Sequence, residues 1–139
     1  MLVLLTSLKD FMALLFVLGR IILGGYFIMS AYNHFKHQKN LAGYAAMKKI
    51  PAPKIAVMGS GVLLGLGGLS ILFGVNPQAG IALLVLFLIP VTFMMHAFWK
   101  ETDMNAKQSE RIAFMKNAAI FGALLMMLSI ALPWANSLN

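Results

Sequence analysis

Four long apolar runs constrain this chain more than any other feature of its sequence. They cover residues 11–32, 55–74, 79–99 and 112–132, and none of them contains Asp or Glu. Each approaches the roughly 20 apolar residues that a helix needs to cross a hydrocarbon layer about 30 Å thick. Because backbone groups in lipid must be hydrogen-bonded internally, we expect these runs to be helices. The sequence predicts an all-α membrane protein: an antiparallel four-helix transmembrane bundle in which residues 1–139 form a single domain.

The composition agrees with a membrane protein. Hydrophobic residues make up 60% of the 139 residues and charged residues only 11%, whereas a soluble domain needs more charge to cover its surface. Cysteine is absent, which excludes disulfides and Cys-ligated metal or iron–sulfur sites within this chain. No positively charged segment precedes the first apolar stretch, so we expect the N-terminus to be retained rather than cleaved as a signal peptide.

The basic residues lie mainly in the links between the apolar runs. The net charge of +7 fits anionic lipid headgroups better than nucleic acid, because these links flank the predicted spans. Lysines concentrate in loop 33–54, and further basic residues occur in loop 100–111, whereas the second link and the C-terminal tail are uncharged. The positive-inside rule then places loops 33–54 and 100–111 in the cytoplasm and both termini outside. We predict a multi-pass protein of the bacterial plasma membrane that contacts anionic lipids at its cytoplasmic face.

Shorter signals predict local structure between and within the spans. The segment "NLAGYAAMKKI" has helical spacing before Pro51, which predicts a short interfacial helix in the first loop. Ser109 followed by Glu110 predicts an N-cap and a first-turn acid for the fourth span. Pro90, in the middle of the third run, predicts a kink because proline removes a helical hydrogen bond.

A stripe of glycines marks the second span. Gly61, Gly65 and Gly68 fall on one helical face, and such small residues allow close approach of a neighbouring helix. A glycine-rich phosphate loop is a poor alternative, because no strand precedes these residues and they lie inside a predicted span. We expect helix packing, with formation of a homo-oligomer through the same face as a further option.

Arg20 is a permanent charge near the middle of the first run. An arginine at the centre of a bilayer costs roughly 2.5–3.5 kcal/mol on insertion scales, so its side chain should face protein, water or a ligand. One interpretation pairs it with Ser70, Ser129 and backbone carbonyls. The other has it donate to a quinone carbonyl or an anionic group.

Arg20 also begins a stripe that continues through Gly24, Phe27, Ala31 and His34, which predicts the interior face of the first helix. At the cytoplasmic end, we expect side chains from three helices to gather in one polar layer. These are His34, His96, Lys116 and Asn117. One interpretation is a headgroup pocket, in which imidazoles exchange protons near neutral pH and the other groups hold an oxygen. The alternative is that polar helix ends simply meet lipid headgroups. No histidine pair lies at matched depth inside two spans, so we predict no metal site.

Six segments in this order and spacing resemble the DoxX family of small four-span membrane proteins. They are "GR" at 19–20, "SAYNHF" at 30–35, "IPAPK" at 50–54, "GGLSILFG" at 67–74, "FLIPVTFMMHAFW" at 87–99 and "FMKNAAIFGALL" at 114–125. The resemblance extends from Gly19 to about Met126. In many relatives, glycine stands in place of Ala31 and a glutamate occurs near Leu63 and Leu64. The pairing of Arg20 with a buried acid is therefore not expected in this chain.

The resemblance implies a link to membrane redox chemistry. Some family members resemble subunits of a thiosulfate:quinone oxidoreductase, and others are linked to membrane oxidoreductase complexes that handle oxidative stress. The leading hypothesis is a membrane subunit that binds a quinone or similar lipid-soluble molecule and supports a redox protein partner. Its ligand contacts would be Arg20, His34, His96, Lys116 and Asn117. Since the chain has no evident redox centre, electrons would come through a cofactor or another subunit. The alternative is a non-catalytic adaptor, assembly factor or lipid-binding protein.

Overall fold

A computed structural model describes the backbone of residues 2–138 and the side chains from Thr6 onward, and this part of the chain contains helices and no strands. The helices are α1 (Leu2–Lys36), α2 (Gln38–Met47), α3 (Pro53–Phe73), α4 (Pro77–Pro90) and α5 (Met104–Met127). A π-helical segment (Val91–Met95) and a 3-10 turn (Phe98–Lys100) follow α4. The protein is an all-α membrane protein, as its apolar runs predict.

The glycine stripe of α3 packs against α1. A Cβ atom added at Gly68 would lie 3.0 Å from the carbonyl oxygen of Gly24, and one added at Gly24 would lie 2.8 Å from that of Gly68. Further along the same contact, a Cβ at Gly61 would meet the ring of Phe35 at 2.9 Å. The predicted packing role of these glycines is therefore confirmed. The order of the contacts also shows that α1 and α3 run antiparallel.

A tight turn then brings α4 back along α3. Gly74 ends α3 with a φ of 71°, a left-handed conformation that glycine adopts without steric cost. Pro77 occupies the start of α4, where its missing N–H has no helical partner to lose. Leu84 of α4 packs onto Gly67, and the buried core continues through Leu124 of α5. The long helices thus contact one another in the order α1, α3, α4 and α5.

Pro90 has a larger effect than the predicted kink. The regular part of α4 ends at Pro90, the next residues form the π-helical segment, and His96 and Ala97 are not helical. Proline lacks the N–H for an i to i−4 hydrogen bond, and π-type turns form where this ladder is disturbed. The third run is therefore a helix with an interrupted end.

The predicted helix of the first loop is present as α2. It buries Ala42 and Ala45 in a small apolar cluster with Val57 of α3. The loop therefore packs onto the bundle through this helix. Its position at the membrane interface remains a prediction.

The start and end of α5 both differ from expectation. Its N-cap is Asp103, whose carboxylate accepts a hydrogen bond from the backbone N–H of Ala106 at 2.7 Å. The predicted N-cap at Ser109 is wrong, because Ser109 and Glu110 lie inside α5. The helix ends at Met127, before the predicted end of the fourth span at residue 132. The following tail turns back, and Trp134 is 3% exposed and packs edge-on against Phe16.

Three stretches of the described chain are long and apolar enough to cross a membrane: Thr6–Lys36, Pro53–Phe73 and Pro77–Lys100. Helix α5 is not among them, so a fourth crossing remains a prediction. The first and third loops meet at one end of the bundle, where Lys48 pairs with Glu101 at 2.5 Å. The C-terminal tail meets the end of α3 at the other, where Leu138 N–H donates to the carbonyl of Phe73 at 3.1 Å. The assignment of these ends to cytoplasm and exterior is still a prediction.

Candidate ligand cavity and surrounding polar groups

A cavity of about 350 Å³ lies where α1, α2, α3 and the end of α4 meet. Its walls are mainly apolar and include residues from α2, α3, α4 and the π-helical segment, among them Leu41, Val57, Phe87, Met94 and Met95. The two polar side chains among its lining residues are His34 and Ser60. Apolar walls with a few polar groups are typical of small-molecule sites, which commonly have volumes of roughly 300–1,000 Å³.

His34 ends the predicted interior stripe of α1 and reaches this cavity. Arg20, Gly24, Phe27 and Ala31 are all buried, which confirms the direction of the stripe. The Nδ1 atom of His34 lies 2.8 Å from the carbonyl oxygen of Ser30. The imidazole ring also packs edge-on against Phe87, with 5.9 Å between the ring centroids. These two contacts fix the orientation of the ring in the cavity wall.

Arg20 lies at the opposite end of the bundle from His34, beside the turn between α3 and α4. Its guanidinium donates to the carbonyls of Ile71 at 3.1 Å, Leu72 at 2.8 Å and Ala135 at 2.7 Å. The first two belong to the last turn of α3, where carbonyls lack helical partners and a cation is favoured. Backbone carbonyls are thus its partners, as one interpretation predicted.

The two serines predicted to help Arg20 do not contact it. The hydroxyl of Ser70 donates to the carbonyls of Val75 and Asn76 in the turn, at 2.7 Å and 3.1 Å. The hydroxyl of Ser129 donates to the carbonyl of Met126 at 2.7 Å. This part of the prediction is wrong because local carbonyls in the turn and at the end of α5 satisfy both hydroxyls.

A buried acid organises a second set of polar side chains at the His34 end. We call it the Glu110 cluster; its members are Tyr44, Lys48, His96, Glu101 and Glu110. Nδ1 of His96 lies 2.7 Å from Oε2 of Glu110, and Nζ of Lys48 lies 3.1 Å from Oε1. The hydroxyl of Tyr44 donates to the same carboxylate, and Lys48 also pairs with Glu101. The cluster therefore joins α2, the residues after the π-helical segment, and α5.

The cluster stabilises its charged members. Burial raises the pKa of Glu110, but hydrogen bonds from Tyr44, His96 and Lys48 outweigh this effect and bring the pKa below its ordinary 4.5. Burial likewise lowers the pKa of Lys48, but hydrogen bonds to Glu101 and Glu110 leave it above its ordinary value. The structure therefore favours a carboxylate and an ammonium here, which is an ion pair.

The predicted polar layer is divided between these surroundings. His34 lines the cavity, His96 belongs to the Glu110 cluster, Asn117 is buried in α5 and Lys116 is exposed. Among the residues described, no hydrogen bond joins any two of the five predicted site residues, Arg20 included. The break after Pro90 separates His96 from the regular part of α4 and leaves it beside Glu110.

Sequence reasoning missed Glu110 as the centre of a cluster of hydrogen bonds and ion pairs. The residue looked like a helix-capping acid because it follows Ser109 directly before the apolar run. The third loop contains acids and the first loop is rich in lysines, so an ion pair between the two loops could have been predicted.

Comparison with known proteins places this architecture in a family. A family model described as DoxX matches residues 15–97. No curated protein and no solved structure matches the chain. The matched region includes most of α1, all of α2, α3 and α4, and the lining of the cavity, but it ends before α5. Since the match takes in more than half of the chain, this membrane protein belongs to the DoxX family.

Proposed function

We propose that this protein binds a quinone or similar lipid-soluble molecule in the cavity and acts as the membrane subunit of a redox complex. The observation that carries the proposal is the apolar cavity of about 350 Å³ with the imidazole of His34 in its wall. An aromatic headgroup fits such walls because it buries apolar surface, while a polar substituent on its ring can form a hydrogen bond with the imidazole.

A neighbouring groove offers a place for an apolar tail. Met58 and Val62 line it, it shares Ile55 and Gly59 with the cavity, and its remaining lining residues are Gln38 and Lys54. A molecule with its headgroup in the cavity would therefore place its tail past Gly59 along the outer face of α3. An amphipathic lipid-soluble molecule suits this arrangement better than a compact polar metabolite.

The predicted contact residues take unequal parts in this proposal. His34 contacts the ligand directly, because it lines the cavity. Arg20 holds the other end of the bundle, since its guanidinium donates to carbonyls of α3 and the C-terminal tail. His96 acts through the Glu110 cluster, and Lys116 and Asn117 belong to α5 rather than to the cavity wall.

The partner in this proposal is a redox protein that docks at the lysine-bearing end. Lys36, Lys39, Lys49 and Lys54 are exposed there, so an acidic protein surface or anionic lipid headgroups would be attracted. The absence of cysteine means that no thiol of this chain can carry the electrons.

The test measures quinone that copurifies with the protein, and it uses two matched leucine substitutions. A Cβ added at Gly59 or at Gly19 meets no atom within 4 Å, and both residues are exposed on helices. Gly59→Leu adds bulk at the cavity, whereas Gly19→Leu adds the same bulk away from it. We expect about one quinone per chain in extracts of the wild type and Gly19→Leu, and a several-fold lower amount in Gly59→Leu.

Bulk phospholipid alone in the extract of the wild type would contradict quinone binding. That result would favour the alternative of a non-catalytic adaptor, assembly factor or lipid-binding protein. Equal quinone content in both variants would instead remove the cavity as the site.

A further inference from the structure

We infer that the cavity prefers ligands that present a hydroxyl donor, such as a phenol or the hydroquinone form of a quinone, over ligands that present only acceptor oxygens. This inference rests on the proposed function and specifies the chemistry of the same site. It follows from the direction of two hydrogen bonds in the cavity wall.

The first hydrogen bond fixes which nitrogen of His34 carries a hydrogen. The carbonyl oxygen of Ser30, 2.8 Å from Nδ1, can only accept a hydrogen bond. Nδ1 must therefore be the donor in this contact. In a neutral imidazole the other nitrogen, Nε2, is then an acceptor. His34, which lines the cavity, thus carries a lone pair on Nε2 while its ring is neutral.

The second hydrogen bond uses the hydrogen of the other polar side chain. The hydroxyl of Ser60 donates to the carbonyl of Val57 at 2.9 Å, within α3. Its oxygen retains lone pairs that can accept, but its hydrogen is already committed. His34 and Ser60 are the two polar side chains among the lining residues, so both present acceptors.

The side chains of the cavity offer acceptors and no free donor. The cavity therefore distinguishes a ligand hydroxyl from a ligand carbonyl or ether oxygen. A ligand hydroxyl can donate to Nε2 of His34, whereas a carbonyl or ether oxygen would face another acceptor. A hydrogen bond made in one case and lost in the other corresponds to a preference of about tenfold. The walls are otherwise apolar, so this contact orients the ligand headgroup.

The test compares 4-nonylphenol with 4-nonylanisole, its methyl ether, and with nonylbenzene, which lacks the oxygen. The protein carries ¹³C-methyl methionine, because Met94 and Met95 line the cavity and report binding directly. Exposed methionines outside the lining, such as Met12 and Met115, report non-specific insertion of the probes. Probe concentrations are corrected for partition into protein-free micelles.

We expect the phenol to shift the Met94 and Met95 methyl signals with a Kd about tenfold lower than that of either other probe. In His34→Leu the hydrogen bond that causes this tenfold difference is absent. The three Kd values should therefore agree to within about twofold. Leu63→Ala changes the apolar wall without altering either contact that orients His34, so it should alter all three affinities while it preserves their ratio. Each ratio is taken within one variant, so a general change in stability does not mimic the effect.

Two results would overturn the inference. Equal affinities in the wild type, with weaker binding of every probe to Gly59→Leu, would leave the cavity as a binding site but remove the hydroxyl preference. A phenol preference that persists in His34→Leu would remove His34 as its cause. If no probe shifts Met94 or Met95, the proposed function fails together with the inference.

Discussion

At the scale of single residues, Arg20 connects parts of the chain that are far apart in sequence. Helix α1 supplies the charge, the last turn of α3 supplies two carbonyls, and the C-terminal tail supplies those of Ala135 and Asn136. The residue is 4% exposed, so loss of the guanidinium would leave several carbonyls without their donors. A charge in the first apolar run is thus satisfied by peptide groups, without any acid.

Replacement of Arg20 by leucine should release the C-terminal tail. We expect a loss of about 3 kcal/mol in the free energy of unfolding, because hydrogen bonds to a charged group are among the strongest. Trp134, buried beside Phe16, should become accessible to acrylamide in a Trp99→Phe background that leaves it as the one tryptophan. Arg111→Leu is the control, because it removes an exposed arginine from α5. Unchanged quenching of Trp134 in Arg20→Leu would contradict the anchoring role.

Gly24 is a second residue with a sharp structural requirement. In Gly24→Ala the new methyl group would lie 2.8 Å from the carbonyl oxygen of Gly68, so α1 and α3 must separate. We expect a loss of about 1–3 kcal/mol from overpacking, measured as a lower Tm in detergent. Gly19→Ala, on the same helix with open space around it, should leave the Tm unchanged or raise it. Equal effects of the two substitutions would count against close packing at Gly24.

At the scale of elements, the Glu110 cluster connects two segments that line the cavity, α2 and the π-helical segment, to α5. Tyr44 and Lys48 lie at the end of α2, which contributes Leu41 and Ala45 to the lining, and His96 directly follows Met95. Glu110 holds both sides from α5. Loosening of this carboxylate should therefore mobilise α2.

We expect Glu110→Gln to destabilise the protein near neutral pH, because a charge-assisted contact becomes a neutral one. The loss should be about 1–3 kcal/mol. Hydrogen exchange should be faster at the amides of Lys48 and Lys49, which bond to Tyr44 and Ala46 at the end of α2. Asp10→Asn makes the same change of charge at an exposed position and is the control.

The same substitution predicts a pH dependence with a definite sign. The pKa of Glu110 is lower in the folded protein than its ordinary 4.5, so its ionised form stabilises the fold above that pH. This stabilisation is lost as the pH falls through the folded value. The Tm difference between the wild type and Glu110→Gln should therefore shrink below about pH 4.5. A difference that stays constant from neutral pH into this range would rule out the ion pair as its cause.

The elements that could be predicted are those set by local pattern. Apolar runs of membrane length gave α1 and α3, helical spacing before Pro51 gave α2, and the stripe from Arg20 gave the interior position of His34. The start of α5 could not be predicted in this way. Apolarity begins only near Ile112, whereas the helix begins with the capping contact between Asp103 and Ala106.

The cavity and the Glu110 cluster depend on tertiary packing that spacing along one helix does not contain. The cavity requires α2 to fold back onto α3 and the helix after Pro90 to widen into a π-helical segment. The cluster brings Tyr44 to Glu110 across 66 positions of sequence. Hydrogen bonds do not join the described members of the predicted polar layer to one another, and the break after Pro90 leaves His96 beside Glu110.

At the scale of the whole molecule, the bundle has two chemically different ends. The end with the first and third loops carries the lysines and the Glu110 cluster, and the other end carries the α3–α4 turn and the uncharged tail. Helix α5 joins them. Its 24 residues extend about 36 Å at 1.5 Å per residue, but the part from Ile112 onward extends only about 24 Å, so the residues after Met127 must complete a crossing of about 30 Å.

This geometry predicts a fourth crossing although α5 is less apolar than the other long helices. Three of the four charges in α5 lie in its first turns, at Lys107, Glu110 and Arg111, outside a span that begins near Ile112, and the fourth, Lys116, lies about one turn inside it. Its far end leads to Leu138, whose backbone N–H meets Phe73 at the end of α3. The tail and the α3–α4 turn must therefore share one side of the membrane if α3 crosses it.

Single cysteines test this arrangement cleanly, because the natural chain has none. Gln78→Cys and Leu138→Cys, at exposed positions near the turn and in the tail, should react with a membrane-impermeant maleimide on intact spheroplasts. Lys39→Cys and Lys107→Cys, exposed in the first loop region and at the start of α5, should react only after permeabilisation. Exchange of the two pairs would reverse the predicted orientation but retain four crossings. If Leu138→Cys instead follows Lys107→Cys, α5 does not cross, and the contact between the tail and Phe73 cannot exist in the membrane.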